Sequence, residues 1–278
     1  MSKDSLEVLV NVPDKWGKYL DALAATFPGK SVETKRYKGG SDILICWGLG
    51  GAEQWRAFRA QRAAGKTVIG IDLPYWRRDA GLGADRHVKI SINAQQPIAN
   101  KLPPASIDRF MSFGVNLRET YDPSGPVVLG GLGAKSRAWL GYKGPQWELK
   151  RAQEIRARFP DKQIIYRPKN MRHERLPVDN CVTQGTGPIE SVLSGASLVV
   201  VRHSNVAVDC VINGVPCVCE HNAANYLWPD TLNGEHALPD REARLEFLGR
   251  LAHWQYSLKE LRAGIWPWLF ERIKDCES

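Results

Sequence analysis

The chain of 278 residues contains no apolar run near the roughly 18 residues that a membrane span needs. Its opening, Met-Ser-Lys-Asp-Ser, lacks the apolar core of a signal peptide, so a cytoplasmic chain is expected. No short-period repeat or low-complexity tract occurs, which excludes solenoids and disordered tails. Cysteine is sparse. Five of the six (Cys46, Cys181, Cys210, Cys217, Cys219, Cys276) sit in apolar segments without framework spacing, so they are read as reduced and buried. The close pair Cys217 and Cys219 is expected to diverge on a strand and make a poor metal chelate, and no metal site is expected.

What is present describes an ordinary globular protein. Hydrophobic residues make up 43% and charged residues 24%, enough for a real core in about two domains. The net charge of +8 is uneven: residues 1–122 hold 18 Lys/Arg against 13 Asp/Glu (+5), and residues 123–278 hold 20 against 17 (+3). Solubility explains a moderate excess, and so does a polyanionic partner. Ten Trp residues also supply flat faces for stacking on bases or sugars.

Short apolar runs alternate with helix-length stretches, the pattern of parallel sheets wrapped by helices. Strands are expected at 6–12, 42–47, 67–71 and 87–92, with helices at 14–27 and after Gly51. An irregular stretch, 74–100, is where active-site loops of such sheets usually lie. Asp122-Pro-Ser-Gly-Pro126 is the best linker, giving domains 1–122 and 123–278. The pattern then restarts with strands at 127–129, 163–166, 197–201 and 217–220, and with helices at 147–159, 189–193 and up to Asn213. Residues 241–275 read as helical throughout. The fold class is therefore α/β with two doubly wound parallel-sheet domains.

The candidate chemistry lies at strand ends. Gly130-Gly-Leu-Gly133 followed by Lys135 suits a phosphate, and so does a surface lysine beside a tight turn. Arg167, locked by Pro168, sets a guanidinium at a sheet edge; an interdomain ion pair is the alternative. The strand 197–201 is apolar on both faces and turns into a helix through His203-Ser204-Asn205. Either Ser204 or Asn205 is expected to cap that helix while free amides face an anion, with Asp209 one turn further on. His203, among polar neighbours at this junction, is a candidate acid–base group.

The ordered set of Arg167-Pro168, Gly187-Pro-Ile-Glu190, the apolar strand, His203-Ser-Asn-x-Ala-x-Asp209 and Gly214-Val-Pro216 resembles the carboxyl-terminal domain of GT-B glycosyltransferases. It is most similar to capsule-polysaccharide-type enzymes and to bacteriophage enzymes that glycosylate hydroxymethylpyrimidines in their own DNA. The likeness covers residues 126–264, including the closing Leu251-Ala-His-Trp-Gln-Tyr-Ser-Leu-Lys-Glu-Leu-Arg-Ala-Gly264; over 1–125 it is architectural. It implies two domains facing a crevice that holds a nucleotide sugar, with a UDP-linked co-substrate expected and no other cofactor. Ser204, Asn205, Asp209, Lys135 and Arg167 would hold the donor, and Gly187 with Pro188 would line its base pocket. For a phage protein the cytoplasm would be that of the bacterial host. The chain has no Asp-x-Asp pair, which suits metal-independent transfer. In the first domain Asp72 is the leading candidate base, ahead of Asp85 and His87. Arg77, Arg78, Arg86 and Lys89, beside Tyr75 and Trp76, form the expected DNA-binding acceptor cluster.

Overall fold

The computed structural model describes residues 5–9, 14–27, 31–49, 51–76, 86–97, 105–169, 177–185 and 187–264. The chain folds as two compact units, Met1–Ala105 with Arg250–Ser278, and Ser106–Gly249. Among the described residues no helix is long and apolar enough to cross a membrane.

The first unit opens with β1 (Leu6–Leu9), α1 (Asp14–Ala24), β2 (Ser31–Thr34), β3 (Ile43–Trp47), α2 (Ala52–Ala63), β4 (Thr67–Asp72) and β5 (His87–Ile92). Strands β2, β1, β3 and β4 pair in parallel. Their apolar runs are buried on both sides: Ile43 to Cys46 are all buried, as expected of a sheet covered on both faces. Strand β5 departs from the parallel expectation, because it pairs antiparallel with β4, Asp72 opposite Lys89. A parallel neighbour needs a crossover, usually helical, and residues 73–86, with their proline and glycines, read as irregular.

The second unit runs α3 (Asp108–Met111), β6 (Val127–Gly130), α4 (Ala134–Trp139), α5 (Gln146–Arg158), β7 (Ile164–Arg167), β8 (Val182–Thr183), α6 (Ile189–Leu193), β9 (Leu198–Val201), α7 (Val206–Asn213), β10 (Cys217–Cys219) and α8 (Arg241–Ala252), whose last residues, from Arg250, count with the first unit. Its five strands are all parallel, in the order β10-β9-β6-β7-β8. All four residues of β9 are buried, and each apolar side chain so covered contributes about 1.5–3 kcal/mol. Residues 106–122 belong here and not to the first unit as expected. Backbone amides of Arg118, Thr120 and Asp122 donate to the carbonyls of Ile212 (2.8 Å), Asn213 (2.9 Å) and Ala196 (3.3 Å).

Cys217 and Cys219 also correct an expectation. Side chains on a strand repeat every second residue, so the two share one face, and the Cys217 thiol hydrogen-bonds with both Cys210 and Cys219. Burial pushes the Cys210 and Cys217 thiols up, and the hydrogen bond with Cys217, followed by burial, pushes up that of Cys219, which keeps all three neutral. Among the described residues, no group of three or more His, Cys, Asp or Glu is placed to hold a metal ion.

The carboxyl-terminal stretch is not helical throughout. After α8 comes β11 (Gln255–Ser257), which pairs antiparallel with β5, and then α9 (Leu258–Arg262). The first sheet thereby has the order β11-β5-β4-β3-β1-β2. Ser257 and Glu260 form a reciprocal capping box at the start of α9.

Candidate active site

Strand β6 lies between β7 and β9 in the second sheet, and the chain returns from the β7–β8 side to β9. The reversal thus lies between β6 and β9, where open α/β sheets bind ligands at their carboxyl edge. Two glycines let the end of β6 approach its neighbours. A Cβ at Gly130 would come within 2.7 Å of Val201 Cγ1, and one at Gly131 within 2.7 Å of Tyr166 Oη. The loop is then clamped from beneath by Glu148 of α5, whose Oε1 accepts from Leu132 N (2.9 Å) and Arg137 (2.6 Å). Both charged side chains are buried, so removing one partner strands the other. Lys135 stands exposed on α4, next to the buried Ser136.

Across the reversal, Arg202 and His203 follow β9. His203 Nε2 lies 2.9 Å from Ser136 Oγ, and its Nδ1 lies 3.4 Å from NH1 of Arg202. The Trp139 ring meets the imidazole edge-on at 5.5 Å, with the Arg202 guanidinium 5.9 Å from the Trp139 ring centre. Glu220, just past β10, holds this group in place. It accepts from Arg202 Nε and Trp147 Nε1, each at 3.1 Å, and from Arg151. Loops after β6, β9 and β10 thus come together in one network of charges and rings, of which the sequence signalled His203. Glu220, Arg151 and Trp139 carry no motif; only their position after apolar runs or on a basic helix pointed to this edge.

The helix start differs from the open amide cradle expected there. Ser204 Oγ accepts from Val206 N (3.3 Å), Ser204 O from Ala207 N (3.2 Å) and Asn205 O from Val208 N (2.9 Å). The first amides of α7 are satisfied within the turn. Asn205 occupies the cap position, yet its side chain makes no capping bond. Asn222 Nδ2 holds the Ser204 carbonyl at 2.8 Å, and Asp209 is buried in the first turn, where the helix dipole favours a carboxylate.

Arg167 does reach Gly187, as a bracket: its NH1 donates to Gln184 O (3.3 Å) and its NH2 to Gly187 O (2.5 Å). Gly187 adopts φ +85°, a left-handed conformation that a side chain would strain, and Pro188 then caps α6. The guanidinium, expected to hold the donor, is thus engaged in fixing the Gly187–Pro188 turn.

On the first sheet Asp72 ends β4. Its Oδ1 accepts from Leu73 N (2.7 Å), its Oδ2 lies 3.9 Å from the buried Lys89 ammonium, and 49% of its side chain is exposed. The expected acceptor cluster is altered. Trp76 and Tyr75 are buried, with their amides on Gln255 Oε1 (3.2 and 2.7 Å), so neither ring offers an open face to a base. Lys89 is buried as well, above the Tyr75 ring. Arg86 stacks 4.7 Å from the Trp16 ring centre, and Trp16 lies on Trp47 at 4.2 Å. His87 faces Glu260 at 3.5 Å. Arg77, Arg78 and Asp85 lie outside the described residues.

No family model matches the chain, and no curated protein matches it. Solved structures do. One is the beta Kdo 2,7 transferase of Thermosulfurimonas dismutans KpsC, with TM-score 0.50, 15% identity, and 98% of this chain and 99% of that one covered. Another is the beta Kdo 2,4 transferase of the same KpsC, with TM-score 0.50, 11% identity, and 90% and 91% covered. The chain shares their fold. At these identities the likeness extends to the α/β architecture over nearly the whole chain, including the first unit, where the sequence resemblance was architectural alone.

Proposed function

We propose that the chain is a glycosyltransferase that takes a sugar from a nucleotide-sugar donor and passes it to a hydroxyl acceptor. The observation that carries this reading is the second sheet's carboxyl edge, where Arg202, His203 and Ser136 are held together at the strand reversal. Fixed donors and cations at such an edge suit a leaving diphosphate or phosphate, which they stabilise without rearranging. The likeness in fold, over nearly the whole chain, to two Kdo transferases supports it.

In this reading Lys135 and Arg202 balance the donor's charge, Ser204 and Asn205 shape the turn beneath it, and Arg167 sets the Gly187–Pro188 wall for its base. Asp72, half-exposed at its strand end, is the candidate base toward the acceptor. A saccharide acceptor is favoured over hydroxymethylpyrimidine DNA, because Trp76, Tyr75 and Lys89 are buried and no longer form an accessible aromatic and cationic platform. The test is a panel of nucleotide sugars, acidic sugars included, scored by thermal stabilisation and then by transfer to saccharide and to modified DNA. One donor at about 100 times its Kd should add about 2.7 kcal/mol. No stabilisation and no transfer with any donor would reject the reading, and salt-dependent DNA binding alone would favour a DNA-binding protein on this fold.

A further inference from the structure

A serine hydroxyl 2.9 Å from an imidazole nitrogen is the geometry in which a histidine takes a serine's proton and makes it a nucleophile. The direction of that bond depends on the other ring nitrogen. A neutral imidazole carries hydrogen on one nitrogen and a lone pair on the other, so whatever meets Nδ1 decides what Nε2 does. Here Nδ1 of His203 meets NH1 of Arg202 at 3.4 Å. A guanidinium has donors and no acceptor, so Nδ1 presents its lone pair, the hydrogen sits on Nε2, and Nε2–H donates to Ser136 Oγ. The serine's own hydrogen then points to a different acceptor.

Arg202 is itself oriented. Its Nε donates to Glu220 Oε2 at 3.1 Å, and its guanidinium lies near the Trp139 ring that packs edge-on against His203. Glu220 is anchored in turn by Trp147 and Arg151 of α5. An ordered proton chain thus runs from Glu220 through Arg202 and His203 to Ser136.

We infer that Ser136 is a hydrogen-bond donor to a phosphate-bearing ligand, with His203 donating to the serine and not acting as its base, and that Glu220, Arg202 and His203 are the positioning residues that fix this state. The choice of ligand rests on the donor-site reading above; the proton order does not. The test is ring-nitrogen NMR of the full chain with 15N-labelled histidine, the His203 signals being assigned by their loss in His203→Gln. Wild type should show Nε2 protonated and Nδ1 bare. Arg202→Met should shift population to the Nδ1–H form, and Glu220→Gln, which keeps the side chain's shape and serves if Arg202→Met does not fold, should shift it in the same direction.

Inorganic pyrophosphate should bind wild type and bind Ser136→Ala about tenfold more weakly, the loss of one hydrogen bond to a charged group. Nδ1 protonated in wild type, or a tautomer unmoved by both variants, overturns the proton order. Labelling of Ser136 by a fluorophosphonate, or equal pyrophosphate affinity in Ser136→Ala, overturns the donor role. A wild-type proton order with tenfold pyrophosphate discrimination, in a protein that transfers no sugar, supports this inference while rejecting the glycosyltransferase.

Discussion

The two sheets end differently at their carboxyl edges. In the first, aromatic rings and an arginine are layered, Arg86 on Trp16 on Trp47, and among the described residues the ionisable pairs are Asp72 with Lys89, and His87 with Glu260. In the second, carboxylates organise arginines: Glu148 holds Arg137, and Glu220 holds Arg202 and Arg151. Layered rings favour uncharged, flat ligands such as sugar rings, whereas anchored cations favour anions. A transferase that holds a charged donor and an uncharged acceptor needs both kinds of surface.

Loss of function should separate the edges. Asp72→Asn should lower turnover by about 10²–10⁴-fold, the usual contribution of a general base, while donor affinity measured by calorimetry stays as in wild type. A fall in donor affinity instead would move Asp72 to the donor's side. Loss of stability should be larger in the second unit. Glu148→Ala leaves Arg137 buried without its carboxylate and should cost about 3–5 kcal/mol in urea unfolding, and replacing both residues by Met should restore most of it. Breaking the exposed Arg56–Glu53 pair of the first unit by Arg56→Ala should cost less than about 1 kcal/mol.

Alkali offers a further contrast. Burial pushes the Cys46 thiol up to about 12 from an ordinary 9.0. Above pH 9 the unfolded chain releases this proton while the folded chain keeps it, so the contribution is complete below pH 9 and is lost as pH rises toward 12. The slope is about 1.4 kcal/mol per pH unit. Cys46→Ala should flatten the decline measured by urea unfolding between pH 9 and 10.5 by that amount, and an unchanged slope would mean that the thiol ionises in the folded state. The smallest effect is expected from Arg167→Ala. It removes two bonds to loop carbonyls and should weaken donor binding by several-fold, with the unfolding midpoint nearly unchanged.

The sheets were legible because burial on both faces writes itself as apolar runs, as in 43–46 and 198–201. What pairing direction they take was not: β5 has the composition of any strand, and only the lack of a helical sequence pattern before it hints that it returns antiparallel. Strand β11 is three residues between two helices, too short for periodicity to register, although Ser257 and Glu260 spell a capping box that marks a helix start there. At the candidate site, His203, Lys135, Arg167 and Ser204 were visible as polar residues at strand ends. The carboxylates that organise the edge around them were not, since Glu148 and Glu220 act through contacts 11 to 73 residues away in sequence, which spacing does not report. Trp76 was misplaced for a related reason: an aromatic in an irregular segment looks exposed until Gln255, far along the chain, is seen to hold its amide.

The most direct measurement is calorimetric titration of wild type and Arg202→Met with the nucleotide sugar that stabilises the protein, followed by titration with the corresponding free sugar. The account predicts that the nucleotide sugar binds wild type, that Arg202→Met weakens it by about 2–5 kcal/mol, and that the free sugar shows no such dependence on Arg202. Equal nucleotide-sugar affinity in the two proteins would contradict the claim that the second sheet's carboxyl edge holds the donor.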